Sequence, residues 1–177
     1  MTGAGGTRYT LAFEVEAARR GSRTVRSTLD ALPRTLESVI ENGTGDGVGL
    51  SQDLLLLLPQ LGGLATGDEP RPATFITRAL LGIVSTGSVV VADTRQDRIM
   101  TFLATRHVAL LPETALVPSL REAASFLRAW AREAKRYATF ISGPSRTSDI
   151  EQIPVIGAHG PSESLVVLVE GWQPEIV

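Results

Sequence analysis

The sequence predicts an α/β domain built on a mainly parallel sheet, and three observations carry that expectation. Ser88–Ala92, "SVVVA", and Ser164–Glu170, "SLVVLVE", are near-continuous aliphatic runs, the pattern of strands buried on both faces. Ser119–Ala138 carries an apolar stripe at helical spacing behind a Ser119-x-x-Glu122 capping box. Strand-like and helix-like segments alternate through the second half, as in βα units. A length of 177 residues fits one domain, 1–177, with a helical N-terminal segment at 1–45.

Taken in order, Tyr9–Arg20 reads as an amphipathic helix with Leu11, Val15 and Ala18 on its apolar face. The basic stretch "RRGSRTVR" reads as a loop with a short strand. Leu32–Asn42 reads as a helix, because Leu32, Leu36, Val39 and Ile40 recur at helical spacing and Pro33 suits a first turn. "NGTGDGVG" fits neither the dinucleotide nor the P-loop glycine pattern and reads as a connector. Leu54–Leu58 is a buried element of open type, since a short apolar run suits helix or strand. Ala73–Leu81 reads as a helix, Ile99–Ala104 and His107–Leu111 as strands. After the helix at 119–138 come a strand "ATFIS", a Gly-Pro corner, a short helix and the last strand.

Composition narrows the function. Net charge is −2, which argues against nucleic acid, whose phosphates need a basic face. With no Cys there is no disulfide, no thiol nucleophile and no thiolate ligand for zinc or an iron–sulfur cluster. Two His rule out a multi-His metal site, so neither metal nor cofactor is expected. No segment reads as a signal peptide or membrane span, and the expected location is cytoplasmic.

Three stretches hold candidate site residues. Ser142–Glu151, "SGPSRTSDIE", follows a strand directly, and in parallel sheets ligands bind beyond the carboxyl ends of strands. Gly143 permits a sharp turn and close approach, Ser145 and Thr147 offer hydrogen bonds, and Arg146 suits a carboxylate or phosphate. A helix starting here would add free N–H groups for an anion. The plainer reading is that Thr147 or Ser148 caps that helix, with Asp149 and Glu151 complementing its dipole; residue types alone leave both open. The second stretch, Thr86-Gly87-Ser88, offers two hydroxyls and a close-approach Gly, but reads first as an ordinary turn. The third is the pair of His. His107 opens an apolar run and suits a buried, hydrogen-bonded role, whereas His159 lies in a loop and is the better candidate for proton transfer.

"GPSRTSDIE", "GAHGP" and the strand "LVVLV" together resemble the C-terminal signature of the LUD-domain family, which includes the lactate utilisation protein C (LutC, YkgG-like) subunits. "ALLGIVSTGSVVVAD" resembles the family's middle motif, placing Thr86, Gly87 and Ser88 on its Thr-Gly-Thr/Ser, and Leu103–Val108 places His107 on its His. The resemblance spans roughly 70–170. Ser85 stands where many members carry Glu, which removes a carboxylate from that corner.

The resemblance implies a three-layer α/β/α fold with a mainly parallel sheet, NagB/RpiA/CoA-transferase-like, whose loops bind small anionic metabolites. It implies a non-redox subunit of a complex that oxidises L-lactate to pyruvate, partnered by iron–sulfur protein subunits. The alternative is a stand-alone enzyme of that fold acting on a phosphorylated or carboxylated metabolite. There Glu151 or Asp149 would be the base and His159 the acid, with Thr86, Ser88, Ser145 and Arg146 cradling the anion.

Overall fold

A computed structural model of the chain describes residues 4–43, 45–66, 72–134, 137–148, 154–156 and 160–173. α1 (Ala4–Arg19) leads into β1 (Arg23–Thr28), and α2 (Leu32–Glu41) into β2 (Val48–Leu50) and α3 (Gln52–Leu57). A 3-10 helix, Pro59–Leu64, precedes β3 (Thr74–Ile83), β4 (Ser88–Asp93), α4 (Arg95–Leu103) and β5 (Arg106–Pro112). A 3-10 turn, Glu113–Ala115, precedes β6 (Leu116–Val117), α5 (Leu120–Ala134), β7 (Tyr137–Ile141), β8 (Arg146–Ser148), β9 (Pro154–Ile156) and β10 (Glu163–Glu170).

The sheet runs β1-β10-β5-β3-β4-β7, with β2 and β6 pairing short stretches of β3. β1, β10, β5 and β3 are mutually parallel, and β4 runs antiparallel between β3 and β7. The expected α/β class with a mostly parallel sheet is thus observed, with one reversed strand. Successive residues of β5 and β10 point to opposite faces, and both faces are apolar. Val108, Leu110, Leu165, Val167 and Val169 pack with Leu32 and Leu36 of α2 and Leu54 of α3. Ala109, Leu111, Val166 and Leu168 pack with Phe13 and Ala17 of α1. α5 covers another part of the sheet, its Ala123 and Trp130 against Leu80, Leu81, Ile83 and Val90.

Four expectations need correction. The expected helix Ala73–Leu81 is strand from Thr74 on: every residue of β3 is buried, and a strand covered on both faces shows no period-2 alternation. Of the expected strand Ile99–Ala104, Ile99–Leu103 is helix and Ala104 its C-cap, because Thr94 accepts from the Asp97 N–H and the Asp97 carboxylate accepts from the Thr94 N–H, a capping box that starts α4. Ile99, Phe102 and Leu103 remain partly exposed on it. In α1 the buried residues are Thr10, Phe13 and Ala17, while Leu11 and Val15 are each 53% exposed and Ala18 is exposed. The helix expected to run to Ala138 ends earlier, since Ala138 lies in β7 opposite Ala92 of β4.

Candidate functional site

The Gly-Pro corner after β7 is where the chain departs furthest from expectation and comes nearest to forming a site. Arg146–Ser148 is not a helix start but β8, paired antiparallel with β9. The proposed anion seat on a helix N-terminus is therefore absent from 145–148. Thr147 lies in β8 opposite Val155. Gly143 turns the chain with φ +76°, and a Cβ there would sit 2.1 Å from the Arg20 carbonyl oxygen, so only glycine fits against the end of α1. The Ser145 N–H donates to the Pro161 carbonyl at 2.8 Å, which fastens the corner to the segment entering β10.

Fastened this way, the corner walls a cavity of about 290 Å³. Its floor is His107 and Ser164, at the starts of β5 and β10. One wall is Ser142–Arg146, another is α4 through Arg98, Thr101 and Phe102, and Gly160 and Pro161 close a third side. The cavity thus lies at the amino ends of β5 and β10 and the carboxyl end of β7, rather than beyond carboxyl ends alone. β3 pairs with β5 through Thr74–Arg78 and with β4 from Ala79 onward, and its register to β4 shifts between Ala79 and Leu81. Such irregularities bend and twist a sheet.

His107 is 1% exposed, and its Nε2 lies 2.8 Å from the Thr77 hydroxyl. Burial pushes its pKa down to about 4, because a charged imidazole would be desolvated there. At neutral pH the ring is therefore uncharged, able to donate from one nitrogen and accept at the other. Beside it, Ser22 and Ser164 share a hydroxyl–hydroxyl bond of 2.8 Å. The Arg146 guanidinium lies across Gly21, where a Cβ would fall 2.3 Å from Nη2. None of the described lining residues is Asp or Glu, while Arg98, Arg146 and several hydroxyls are present. That set is suited to a small anion whose polar groups take charge-assisted and hydroxyl bonds.

The candidates distribute unevenly. His107, Gly143, Ser145 and Arg146 line the one cavity. Ser88 reaches it at second hand, its hydroxyl 3.2 Å from that of Ser142. Thr86 and Gly87 are not among the lining residues. Gly87, at φ +62°, lies against the α1 backbone, where a Cβ would meet the Ala17 nitrogen at 2.2 Å. The Thr86 hydroxyl is buried without a hydrogen-bond partner among the described residues. Asp149, Glu151 and His159 lie outside the described residues. Sequence reasoning does not reach Arg98, Thr101 and Phe102: Ile99–Ala104 reads as a strand, and nothing marks Arg98 as part of a site. The pattern Thr94-x-x-Asp97 was the available signal. Among the described residues no helix is long and apolar enough to cross a membrane.

Residues 72–169, more than half of the chain, match the family model of the LUD domain. The chain is 35% identical over 88 residues to lactate utilization protein C of Anoxybacillus flavithermus, covering 49% of this chain and 39% of that protein. It is 27% identical over 164 residues to the protein of the same name from Macrococcus caseolyticus, covering 82% and 71% respectively. The chain thus spans about two fifths of the first relative's length. A crystal structure of a DUF162 family protein from Deinococcus radiodurans superposes with a TM-score of 0.67 at 20% identity, covering 96% of this chain and all of that one. That likeness concerns the fold.

Proposed function

The chain belongs to the LUD-domain family, and on that premise we propose that it serves lactate utilisation as a subunit that holds a small carboxylate. The carboxylate occupies the cavity between His107, Ser142 and Arg146. Arg146 pairs with the carboxylate, and the neutral His107 ring with the hydroxyls hydrogen-bonds the rest of the molecule. The reading rests on one observation above others. A buried neutral imidazole and an arginine from a glycine-tight corner face the same small cavity, with no carboxylate among its described walls. The relatives' name, lactate utilization protein C, supports the choice of lactate or pyruvate as ligand. A chain without Cys cannot hold an iron–sulfur cluster by thiolates, so electrons from lactate pass to cluster-bearing partner subunits.

Calorimetric titration of the purified protein with L-lactate and with pyruvate tests the ligand. Arg146→Gln should weaken binding about 10- to 100-fold, the worth of one charge-assisted hydrogen bond. Binding that Arg146→Gln leaves unchanged, or no binding by either acid, would overturn the assignment. Lactate oxidation that needs this protein together with cluster-bearing subunits supports the subunit role. Turnover by this chain alone would favour a stand-alone enzyme instead.

A further inference from the structure

A second cleft lies back to back with the first. In β5, His107 faces the cavity described above and its neighbour Arg106 faces this one; in β10, Ser164 and Leu165 divide the same way. That division follows from the two-residue period of a strand. The cleft, about 430 Å³, runs between α2 and β1, the edge strand of the sheet. We propose that it is a binding site for a small dianion, a phosphate ester or a dicarboxylate, held between Arg23 of β1 and Arg34 of α2.

Among the described residues, eleven line it; four of these are arginines and none is acidic. Two of the four are already engaged. Arg26 holds Glu14 through two bonds of 2.7 Å. Arg106 is 4% exposed, donates to Glu163, and donates to the Val39 and Asn42 carbonyls at 2.6 and 3.1 Å, fastening the end of α2 to the sheet. Arg106, neutralised by Glu163 and bonded to two carbonyls, is therefore structural here and leaves no free donors. Arg23 and Arg34 have no carboxylate partner among the described residues. They come from different elements and line the same cleft, with the Ser38 hydroxyl nearby and Val25 and Leu165 forming apolar wall. Two positive charges from different elements beside an apolar wall favour a ligand carrying two negative charges. Arginines on an edge strand also discourage edge pairing, but that explanation does not reach Arg34, which sits on a helix.

The test uses inorganic phosphate, titrated into the full chain at neutral pH against sodium chloride of matched ionic strength. Phosphate should bind and raise the thermal unfolding midpoint, since a ligand of the native state stabilises by mass action. Arg23→Gln and Arg34→Gln should each weaken phosphate at least about tenfold. Arg121→Gln, on the exposed face of α5, should change nothing. No binding beyond the chloride control would overturn the proposal, as would binding indifferent to both cleft variants. Phosphate binding that Arg146→Gln abolishes and the cleft variants spare would also overturn it, by placing the anion in the other cavity.

Discussion

His107 and Thr77, thirty residues apart in the chain, are joined by a 2.8 Å hydrogen bond between the Nε2 of one and the hydroxyl of the other. β5 and β3 lie side by side in the sheet, and the bond ties them where burial is complete enough to hold the imidazole neutral. The same ring is the floor of the candidate site, so its protonation bears on stability and on ligand binding alike.

Stability should depend on pH through this ring. Its folded pKa, about 4, lies below the ordinary 6.5, so between those values the unfolded chain binds more protons. Stability from this group is fully present above pH 6.5 and is lost as pH falls toward 4. The loss is about 3 kcal/mol if the whole shift is realised. Urea unfolding from pH 7.5 to 4.5 should show a steeper decline for the native sequence than for His107→Gln. Parallel declines in the two proteins would mean that the ring is not held neutral.

Phe13, not Val15, should carry the attachment of α1. Phe13 is fully buried against the sheet, and Val15 is 53% exposed. Phe13→Ala should cost about 3–5 kcal/mol, the usual range for an aromatic removed from a core. Val15→Ser should stay within about 0.5 kcal/mol. Denaturant midpoints decide between them, and a large loss in Val15→Ser would restore the opposite face of α1 to the core.

The corner at Gly87 should tolerate no side chain. A Cβ there would press on the α1 backbone at 2.2 Å, and φ +62° already disfavours an L-residue. Gly87→Ala should cost about 3 kcal/mol from strain and forced displacement together. It should also speed amide exchange in α1. Gly63→Ala, where a Cβ would meet nothing within 4 Å, is the control and should be nearly neutral. Equal stability of the two variants would show that α1 does not rest on this turn.

Legibility varied with what each segment packs against. Ser88–Ala92, His107–Leu111 and Ser164–Glu170 were readable as strands because β-branched and aliphatic residues fill both faces. The same property hid β3, whose Ala79, Leu80 and Leu81 suit a buried helix equally well. In α4 the misleading feature was apolar content, since Ile99, Phe102 and Leu103 resemble a strand yet stand partly exposed on a helix. At the site, Arg146 and Ser145 were conspicuous beside the Gly-Pro corner. Arg98, Thr101 and Phe102 were not, because nothing local marks a helix face as the wall of a cavity.

The chain's residues by themselves determined the α/β class, the absence of any thiolate ligand, the glycine corners and the family signature. These depend on short-range pattern and on chemistry that each side chain carries alone. Only the tertiary structure decided that His107, legible in the sequence as a buried, hydrogen-bonded residue, is also a cavity floor. It also decided that Arg106 and its neighbour serve opposite faces of one sheet, and that Gly87 serves packing against α1. Those outcomes depend on which strands pair and which helix lies over them, and contacts between residues far apart in the chain are set by the packing of the whole sheet rather than by any one segment.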